Sequence, residues 1–203
     1  DEEVLTESGL FNLSESNRLF DTFKNRIMFP LKNEFGKTIG FSGRVWTKED
    51  IEKGQAKYKN TRATRIFNKS YELYHLDQAK PVIQKTHEVY LMEGFMDVIA
   101  AYRAGHVNAV ASMGTALTPE HVMTYDGDKA GQNAIAKSLE LLSDFQVDIV
   151  KIPDNMDPDE YLQKTSEEAL GKLLVESRIS DVEFWIGQLK PANVDNLQAE
   201  IAY

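Results

Sequence analysis

The 203-residue chain contains no cysteine, so neither a disulfide nor a cysteine-bearing zinc site exists within it. Long apolar runs are also missing, which predicts that no helix spans a membrane. The chain opens with acidic residues, whereas a secretory signal opens with a basic and then an apolar stretch. We therefore expect a cytoplasmic globular protein. Its four histidines are scattered without the spacing of metal ligands.

An overall positive charge is missing as well, since the net charge is −9. That average argues against a nucleic-acid partner, because binding to phosphates depends on Lys and Arg. However, the segment from Arg18 to Lys80 has 14 Lys and Arg against 7 Asp and Glu, while the rest has 9 against 25. The first part could follow phosphates and the second could collect cations, although charge alone equally fits a solvated lysine-rich surface beside an acidic one.

The first part of the chain predicts an α+β lobe. Residues 26–31 and 38–45 have the pattern of two strands joined by a turn that contains Gly36. Residues 46–69 are polar and basic without a clean period, which predicts a loop with little regular structure. Within this loop, Tyr58 lies between Lys57 and Lys59, and an aromatic ring among cations could stack on a base or a sugar.

The second part alternates strands with helices, which predicts a mostly parallel sheet. Strands are predicted at 89–92, 108–111, 122–125 and 147–152, and helices at 96–105 and 133–142. The crossover between 111 and 122 is too short for a complete parallel connection, so it is either shortened or lacks residues. Residues 166–189 predict helices with breaks near Gly171 and Gly187. The expected division is a basic α+β lobe at 1–80, a central α/β domain at 81–165 and a helical subdomain at 166–203.

Acidic side chains follow three of the predicted strands. They are Glu93, the pair Asp126 and Asp128, and the pair Asp157 and Asp159. Because ligands collect at the carboxyl ends of parallel strands, these three groups can converge. Converging carboxylates would repel one another and bind protons, unless a divalent cation such as Mg²⁺ or Mn²⁺ keeps them ionised. The pattern therefore favours a metal site at one rim of the sheet.

Spacing adds detail to this prediction. Asp126 and Asp128 would project to the same side of an extended chain, and Gly127 between them would keep the site open. Glu93 and Asp97 are four residues apart, so a helix that begins near Glu93 would present both from one face. One of these two acids could then bind metal while the other handles a proton or a basic residue.

Other interpretations of the same acids stay open. Asp157 followed by Pro158 is an ordinary helix start. An EF-hand beginning at Asp126 would need Glu at its twelfth position, where this chain has Lys137. Asp-Gly-Asp is also common in surface turns. A phosphatase of the haloacid dehalogenase type would use Asp-x-Asp after a strand, but its usual Thr or Val is Ala130 here. A non-catalytic binding module is a further class.

Four motifs occur in order along the second part, at residues 93–98 (EGFMDV), 111–118 (ASMGTALT), 125–131 (YDGDKAG) and 157–160 (DPDE). Together they resemble the Toprim domain of bacterial DNA primases, the DnaG family. The first lobe is similar to that family at 26–30 (RIMFP), 39–44 (IGFSGR), 57–60 (KYKN) and 66–74. The resemblance covers roughly residues 18–190. The chain departs from the family at 59–62, where KNTR stands for the usual LNSP, and the family has about a dozen more residues between His121 and Met123.

The resemblance implies the roles of ten residues in the RNA-polymerase core of such a primase. The implied metal ligands, for two or more Mg²⁺ or Mn²⁺ ions, are Glu93, Asp126, Asp128, Asp157 and Asp159. The implied catalytic residues are Glu93, Asp97, Asp126 and Asp128. The implied contacts to nucleotides and nucleic acid are Arg44, Lys57, Tyr58 and Lys69.

The implied activity is DNA-directed synthesis of short RNA primers on single-stranded DNA during replication. Nucleoside triphosphates would be the substrates and an RNA–DNA hybrid the product, and guanosine alarmones would compete at the phosphate site. A replicative helicase would engage a C-terminal module outside these residues, and the protein would act in the cytoplasm, at the nucleoid and replication fork, with no membrane partner. Another Toprim enzyme, a nuclease or topoisomerase, would share the carboxylates, but it would not explain the motifs of the first lobe.

Overall fold

The computed structural model describes residues 2–113 and 147–188, which form a mixed α/β fold. The strands are β1 (Phe11–Leu13), β2 (Leu19–Asp21), β3 (Arg26–Lys32), β4 (Thr38–Val45), β5 (Tyr58–Asn60), β6 (Tyr90–Met92), β7 (Ala109–Ala111), β8 (Asp148–Val150) and β9 (Arg178–Ser180). The helices are α1 (Glu2–Glu7), α2 (Lys48–Glu52), α3 (Leu76–Thr86), α4 (Phe95–Arg103), α5 (Pro158–Lys164), α6 (Glu167–Glu176) and α7 (Asp181–Gln188). None of these helices is long and apolar enough to cross a membrane.

The first lobe contains a three-stranded antiparallel sheet in the order β3, β4, β5. The predicted hairpin of β3 and β4 is confirmed, and Gly36 in its turn has a φ of +78°, a conformation that favours glycine. The prediction of a loop at 46–69 was wrong in two places, since this segment contains α2 and β5. β5 pairs with β4 so that Tyr58 lies opposite Arg44 and Asn60 opposite Ser42.

The strand, helix and strand predicted after residue 88 are confirmed. β6 and β7 are parallel, with Tyr90 opposite Ala109, and α4 connects them. α4 ends before Gly105, whose φ of +94° stops the helix as the sequence predicts. The strand predicted at 122–125 and the helix predicted at 133–142 lie outside the described residues.

The last part differs from the prediction in its strand pairing. β8 forms at the predicted place, but its described partner is the antiparallel strand β9, with Ile149 opposite Ile179. Residues 166–189 are therefore not wholly helical, since β9 separates α6 from α7. The predicted break near Gly171 is also wrong, because Gly171 lies inside α6. The expected domain division at 80 and 165 stays a prediction, and α3 runs across the first of these positions.

A buried aromatic cluster joins the first lobe to the start of α4. Phe29 and Leu31 of β3 pack with Phe95 and Met113 in one hydrophobic core. The Phe95 ring stacks on Phe29 at a centroid distance of 5.2 Å and meets Tyr74 edge-on at 4.7 Å. This packing holds the three-stranded sheet against the segment between β6 and α4, and it thereby fixes the two walls of a cleft.

Candidate active site

A cleft of about 380 Å³ lies between the three-stranded sheet and the loops that follow β6 and β8. Its lining combines cations and an aromatic ring from the sheet with acids from the loops. The lining residues are Arg44, Lys57, Tyr58, Asn60, Glu93, Gly94, Phe95, Met96, Asp97, Ser112, Met113, Asp157 and Asp159.

Seven of the ten residues that the sequence singles out line this one cleft. They are Arg44, Lys57, Tyr58, Glu93, Asp97, Asp157 and Asp159. Lys69 is exposed and is not among the lining residues. Asp126 and Asp128 lie outside the described residues, so their place relative to the cleft stays a prediction.

The two acids after β6 reach the cleft in a different way from the one predicted. The helix α4 begins at Phe95 with Gly94 as its N-cap, so Glu93 precedes the helix and is exposed. Asp97 is the third residue of the helix, and only 6% of its surface is exposed. Because Glu93 lies before the helix and Asp97 within its first turn, the two acids do not share a helix face as predicted.

Asp97 connects the two acidic loops through its carboxylate. Its Oδ2 accepts a hydrogen bond from the Gly94 N–H at 3.0 Å, as a capping interaction of α4. Its Oδ1 accepts from the Asp159 N–H at 3.4 Å, across 62 residues of sequence. Asp97 therefore has a local role, as a cap, and a long-range role, as a tie between the start of α4 and the start of α5.

Asp157 and Asp159 stand at the start of α5, as the helix-start interpretation predicts. Asp157 is the N-cap, Pro158 occupies the first helical turn, and the Asp157 Oδ1 accepts from the Glu160 N–H at 2.7 Å. The Asp159 carboxylate accepts from the Gln163 side chain at 2.9 Å. A carboxylate offers about four lone-pair sites on two oxygens, so capping leaves capacity for a second ligand.

The environment of the cleft changes the ionisation of Asp97 and Tyr58. Burial raises the pKa of the Asp97 carboxyl to about 7, and the negative charge of Asp157 adds to this effect. Burial also raises the pKa of the Tyr58 hydroxyl; the Arg44 charge opposes that shift, and the acids of the cleft increase it. A bound cation would relieve the repulsion among these carboxylates.

The donor chemistry of the cleft fits a hard divalent cation. Glu93, Asp157 and Asp159 offer carboxylate oxygens, the ligands that Mg²⁺ and Mn²⁺ prefer. In residues 2–113 and 147–188, however, no group of three acids or histidines is arranged to hold a metal ion. The described acids fit the ion chemically but do not form a complete ligand cage.

The opposite wall is cationic. The Arg44 guanidinium lies 5.8 Å from the centroid of the Tyr58 ring, in a cation–π arrangement between paired strands. Within the described part of the chain, neither Arg44 nor Lys57 forms an ion pair. No described acid therefore neutralises these two charges, and the Tyr58 ring lies beside Arg44.

Sequence reasoning missed Asn60, which also lines the cleft. The fully buried Ser42 donates its hydroxyl hydrogen to the Asn60 Oδ1 at 2.6 Å, so the amide is held with its oxygen engaged. The sequence signal for Asn60 is its spacing of two residues from Tyr58, which would put both on one face of a strand. Three residues are too few to predict a strand by themselves.

Comparisons with known proteins point to one family. The family described as "DNA primase catalytic core, N-terminal domain" matches residues 1–80, and the family described as "Toprim-like" matches residues 90–162. A DNA primase of Lactococcus lactis is 55% identical over 214 residues, which covers 100% of this chain and 33% of that protein. A DNA primase of Listeria monocytogenes is 37% identical and covers 100% of this chain and 34% of its own length. The chain therefore spans about a third of these curated relatives.

Solved structures agree with this result. The RNA polymerase domain of Mycobacterium tuberculosis primase DnaG matches with a TM-score of 0.83 and 30% identity, over 98% of this chain and 69% of that one. A DnaG primase catalytic domain bound to single-stranded DNA matches with a TM-score of 0.79 and 31% identity, over 96% of this chain and 65% of that one. The chain belongs to the DnaG family of bacterial DNA primases.

Proposed function

We propose that this chain carries the site of template-directed ribonucleotidyl transfer, by which RNA primers are made on single-stranded DNA. One observation carries the proposal. Cations from β4 and the residue before β5 (Arg44, Lys57) and acids at the starts of α4 and α5 (Glu93, Asp157, Asp159) line a single cleft. Transfer of a nucleotidyl group needs both kinds of wall, because the triphosphate is anionic and the reaction needs divalent ions.

Glu93, Asp157 and Asp159 would hold Mg²⁺ or Mn²⁺ together with Asp126 and Asp128. Bound ions of this kind lower the pKa of an attacking hydroxyl and stabilise the charge that develops on the phosphorus oxygens. Asp97 would act as a positioning residue, because its two hydrogen bonds set the distance between the acidic loops. A misplacement of either loop would separate the ligands.

The cationic wall would bind the other anions of the reaction. Arg44 and Lys57 would contact the triphosphate or the template backbone, and the Tyr58 ring would support a base or a sugar. Lys69, which lies outside the cleft lining, would contact nucleic acid farther along its path. One structural neighbour is a DnaG catalytic domain bound to single-stranded DNA, and another is in complex with a DNA duplex that has a 6-nucleotide overhang. Both complexes support a DNA template here.

The test is ribonucleotide incorporation on single-stranded DNA with Mg²⁺ or Mn²⁺. Asp126→Asn and Arg44→Ala should each lower incorporation by about 100-fold or more, as the loss of electrostatic stabilisation typically does. Asp154→Asn is the matched control, because Asp154 is exposed, lies three residues before Asp157 and does not line the cleft. Wild-type incorporation by Asp126→Asn, or incorporation in the presence of a chelator, would refute the proposal. Strand cleavage without incorporation would indicate the nuclease or topoisomerase alternative.

Two further partners follow from the same site and family. Guanosine alarmones, as phosphate-rich nucleotides, would compete with nucleoside triphosphates at the cationic wall. Inhibition that does not weaken as the triphosphate concentration rises would reject this competition. A replicative helicase would bind a C-terminal module beyond these residues, and the protein would then act at the replication fork on the cytoplasmic nucleoid.

A further inference from the structure

Trp46 is unusually exposed for its residue type. Its relative exposure is 72%, whereas tryptophan is highly buried on average. Among the described residues, no aromatic ring, cation–π contact or side-chain hydrogen bond involves its indole. The indole therefore contributes little to the core, and most of its surface is open to a ligand.

The position of Trp46 places it at the edge of the cationic wall. It directly follows β4, and Arg44, two residues earlier, lines the cleft. The Val45 N–H donates to the Lys57 carbonyl at 3.0 Å, so the chain at Trp46 runs beside the segment that brings Lys57 and Tyr58 into the cleft. An exposed aromatic side chain therefore follows directly on the paired strands that carry Arg44 and Tyr58.

The neighbouring acids do not cancel this cationic surface. In α2, the Glu49 carboxylate pairs with Lys53 at 2.7 Å. Asp50 accepts hydrogen bonds from the Thr47 hydroxyl and the Gln55 amide. Glu52 of α2 is a third acid, so residues 44–59 have five Lys and Arg against three Asp and Glu, a net charge of +2. Charge complementarity therefore favours a polyanionic ligand over an acidic or neutral protein surface.

We propose that Trp46 stacks on a base of single-stranded nucleic acid where the strand crosses the edge of the cleft. The proposal rests on the proposed function, because it takes the cleft as the place where the strand is bound. Every base has a flat π-face, so a stacking indole can hold a strand without reading its sequence. A base inside a duplex is already stacked on its neighbours, so the contact selects single strands.

The first experiment measures the affinity of the full chain for a labelled oligo(dT) by fluorescence anisotropy. Trp46→Ala should weaken binding by about tenfold, and Trp46→Phe should stay within about threefold of wild type, because the stacking surface remains. Phe35→Ala is the matched control. Phe35 is 74% exposed and lies in the turn at the other end of β4, so its removal should leave the affinity unchanged.

The salt dependence of binding separates stacking from charge. Trp46→Ala should lower the affinity equally at each salt concentration, which leaves the slope of log K against log salt unchanged. Lys57→Ala should make that slope shallower, because one phosphate contact is lost. A changed slope in Trp46→Ala would mean that the substitution disturbs the cationic wall, and it would overturn the stacking assignment.

The second experiment observes the indole directly. The 203-residue chain has two tryptophans, so Trp185→Phe leaves Trp46 as its single fluorophore. Saturation with oligo(dT) should quench this fluorescence and protect it from iodide, whereas an equal amount of duplex should do neither. Unchanged Trp46 fluorescence at saturation would overturn the proposal, and so would equal weakening of single-strand and duplex binding in Trp46→Ala.

The two proposals fail in different ways. If Trp46 has no role, Trp46→Ala binds oligo(dT) as wild type does, while Arg44→Ala still lowers primer synthesis by about 100-fold or more. If the chain does not synthesise primers, incorporation is missing in wild type too, although quenching of Trp46 by single strands can still be measured. Because Trp46 is exposed, its substitution should not lower the thermal midpoint, and that midpoint checks that each variant is folded.

Discussion

Replacement of Phe95 by leucine should damage both stability and activity, because this ring joins the walls of the cleft. Phe95 is 7% exposed and makes ring contacts with Tyr74 at 4.7 Å, Phe29 at 5.2 Å and Tyr58 at 5.7 Å. Each aromatic pair contributes about 0.5–1.5 kcal/mol beyond the burial of its area. Leucine keeps most of the apolar volume, so we expect a loss of roughly 2 kcal/mol in the free energy of unfolding, from the pairs and a small cavity.

The activity of Phe95→Leu should fall further than its stability explains. Phe95 lies two residues before Asp97 and touches Tyr58, so a looser ring cluster shifts the acidic loops relative to the cationic wall. Phe184→Leu is the matched control, because Phe184 is also 7% exposed but belongs to a different core cluster. Phe184→Leu should lower stability while primer synthesis stays at the wild-type level.

Urea unfolding followed by circular dichroism gives the stability of each variant, and primer synthesis is then assayed well below every thermal midpoint. A double-mutant cycle of Phe95→Leu with Phe29→Leu should show a coupling of about 1 kcal/mol, as expected for rings in contact. Strict additivity would show that the two rings do not support each other. Equal activities of Phe95→Leu and Phe184→Leu would refute the claim that this cluster positions the cleft.

Two further predictions concern the packing of α6 on the end of α4. Gly171→Ala should destabilise the protein by about 1 kcal/mol, because the new Cβ would lie 2.8 Å from the Ala104 carbonyl oxygen and the clash outweighs the gain in helix propensity. A Cβ added at Gly187 would have no described atom within 4 Å, so Gly187→Ala should raise the thermal midpoint through its higher helix propensity. A rise in both variants would contradict the clash at Gly171. Burial lowers the pKa of His106 below its value in an unfolded chain, so folding favours the neutral imidazole. The contribution of His106 to the free energy of unfolding is therefore complete above about pH 6.5 and is lost as the pH falls. His106→Asn should flatten the pH dependence of the urea midpoint below that pH, and an unchanged profile would exclude this role.

The sequence predicts those parts of the fold whose signals are local. The hairpin of β3 and β4, the strand and helix around Glu93, and the helix start at Asp157 each depend on neighbouring residues. β5 was missed because its three residues become a strand only through pairing with β4. β9 was missed for the same reason, since helix-forming residues surround it and its partner β8 lies far away in sequence.

Glycine shows how tertiary packing decides what local propensity cannot. Gly171 predicts a helix break, yet it lies inside α6, where a larger residue would collide with the Ala104 carbonyl. The role of Asp97 was hidden in a similar way. Its spacing from Glu93 suggested a shared helix face, but only the fold shows that it ties Gly94 to Asp159.

The net charge of −9 becomes compatible with a nucleic-acid substrate once the charges are located. Arg44 and Lys57 come from the cation-rich segment, whereas Asp97 and Asp157 come from the acidic remainder. The aromatic contacts of Phe95 press these two segments together, so a single cleft has opposite charge on its two walls. Divalent ions on the acidic wall would reverse its sign, and both walls would then attract phosphate. The same acids that would oppose polyanion binding without metal would support it with metal, so we expect the affinity for nucleotides to depend on divalent ions.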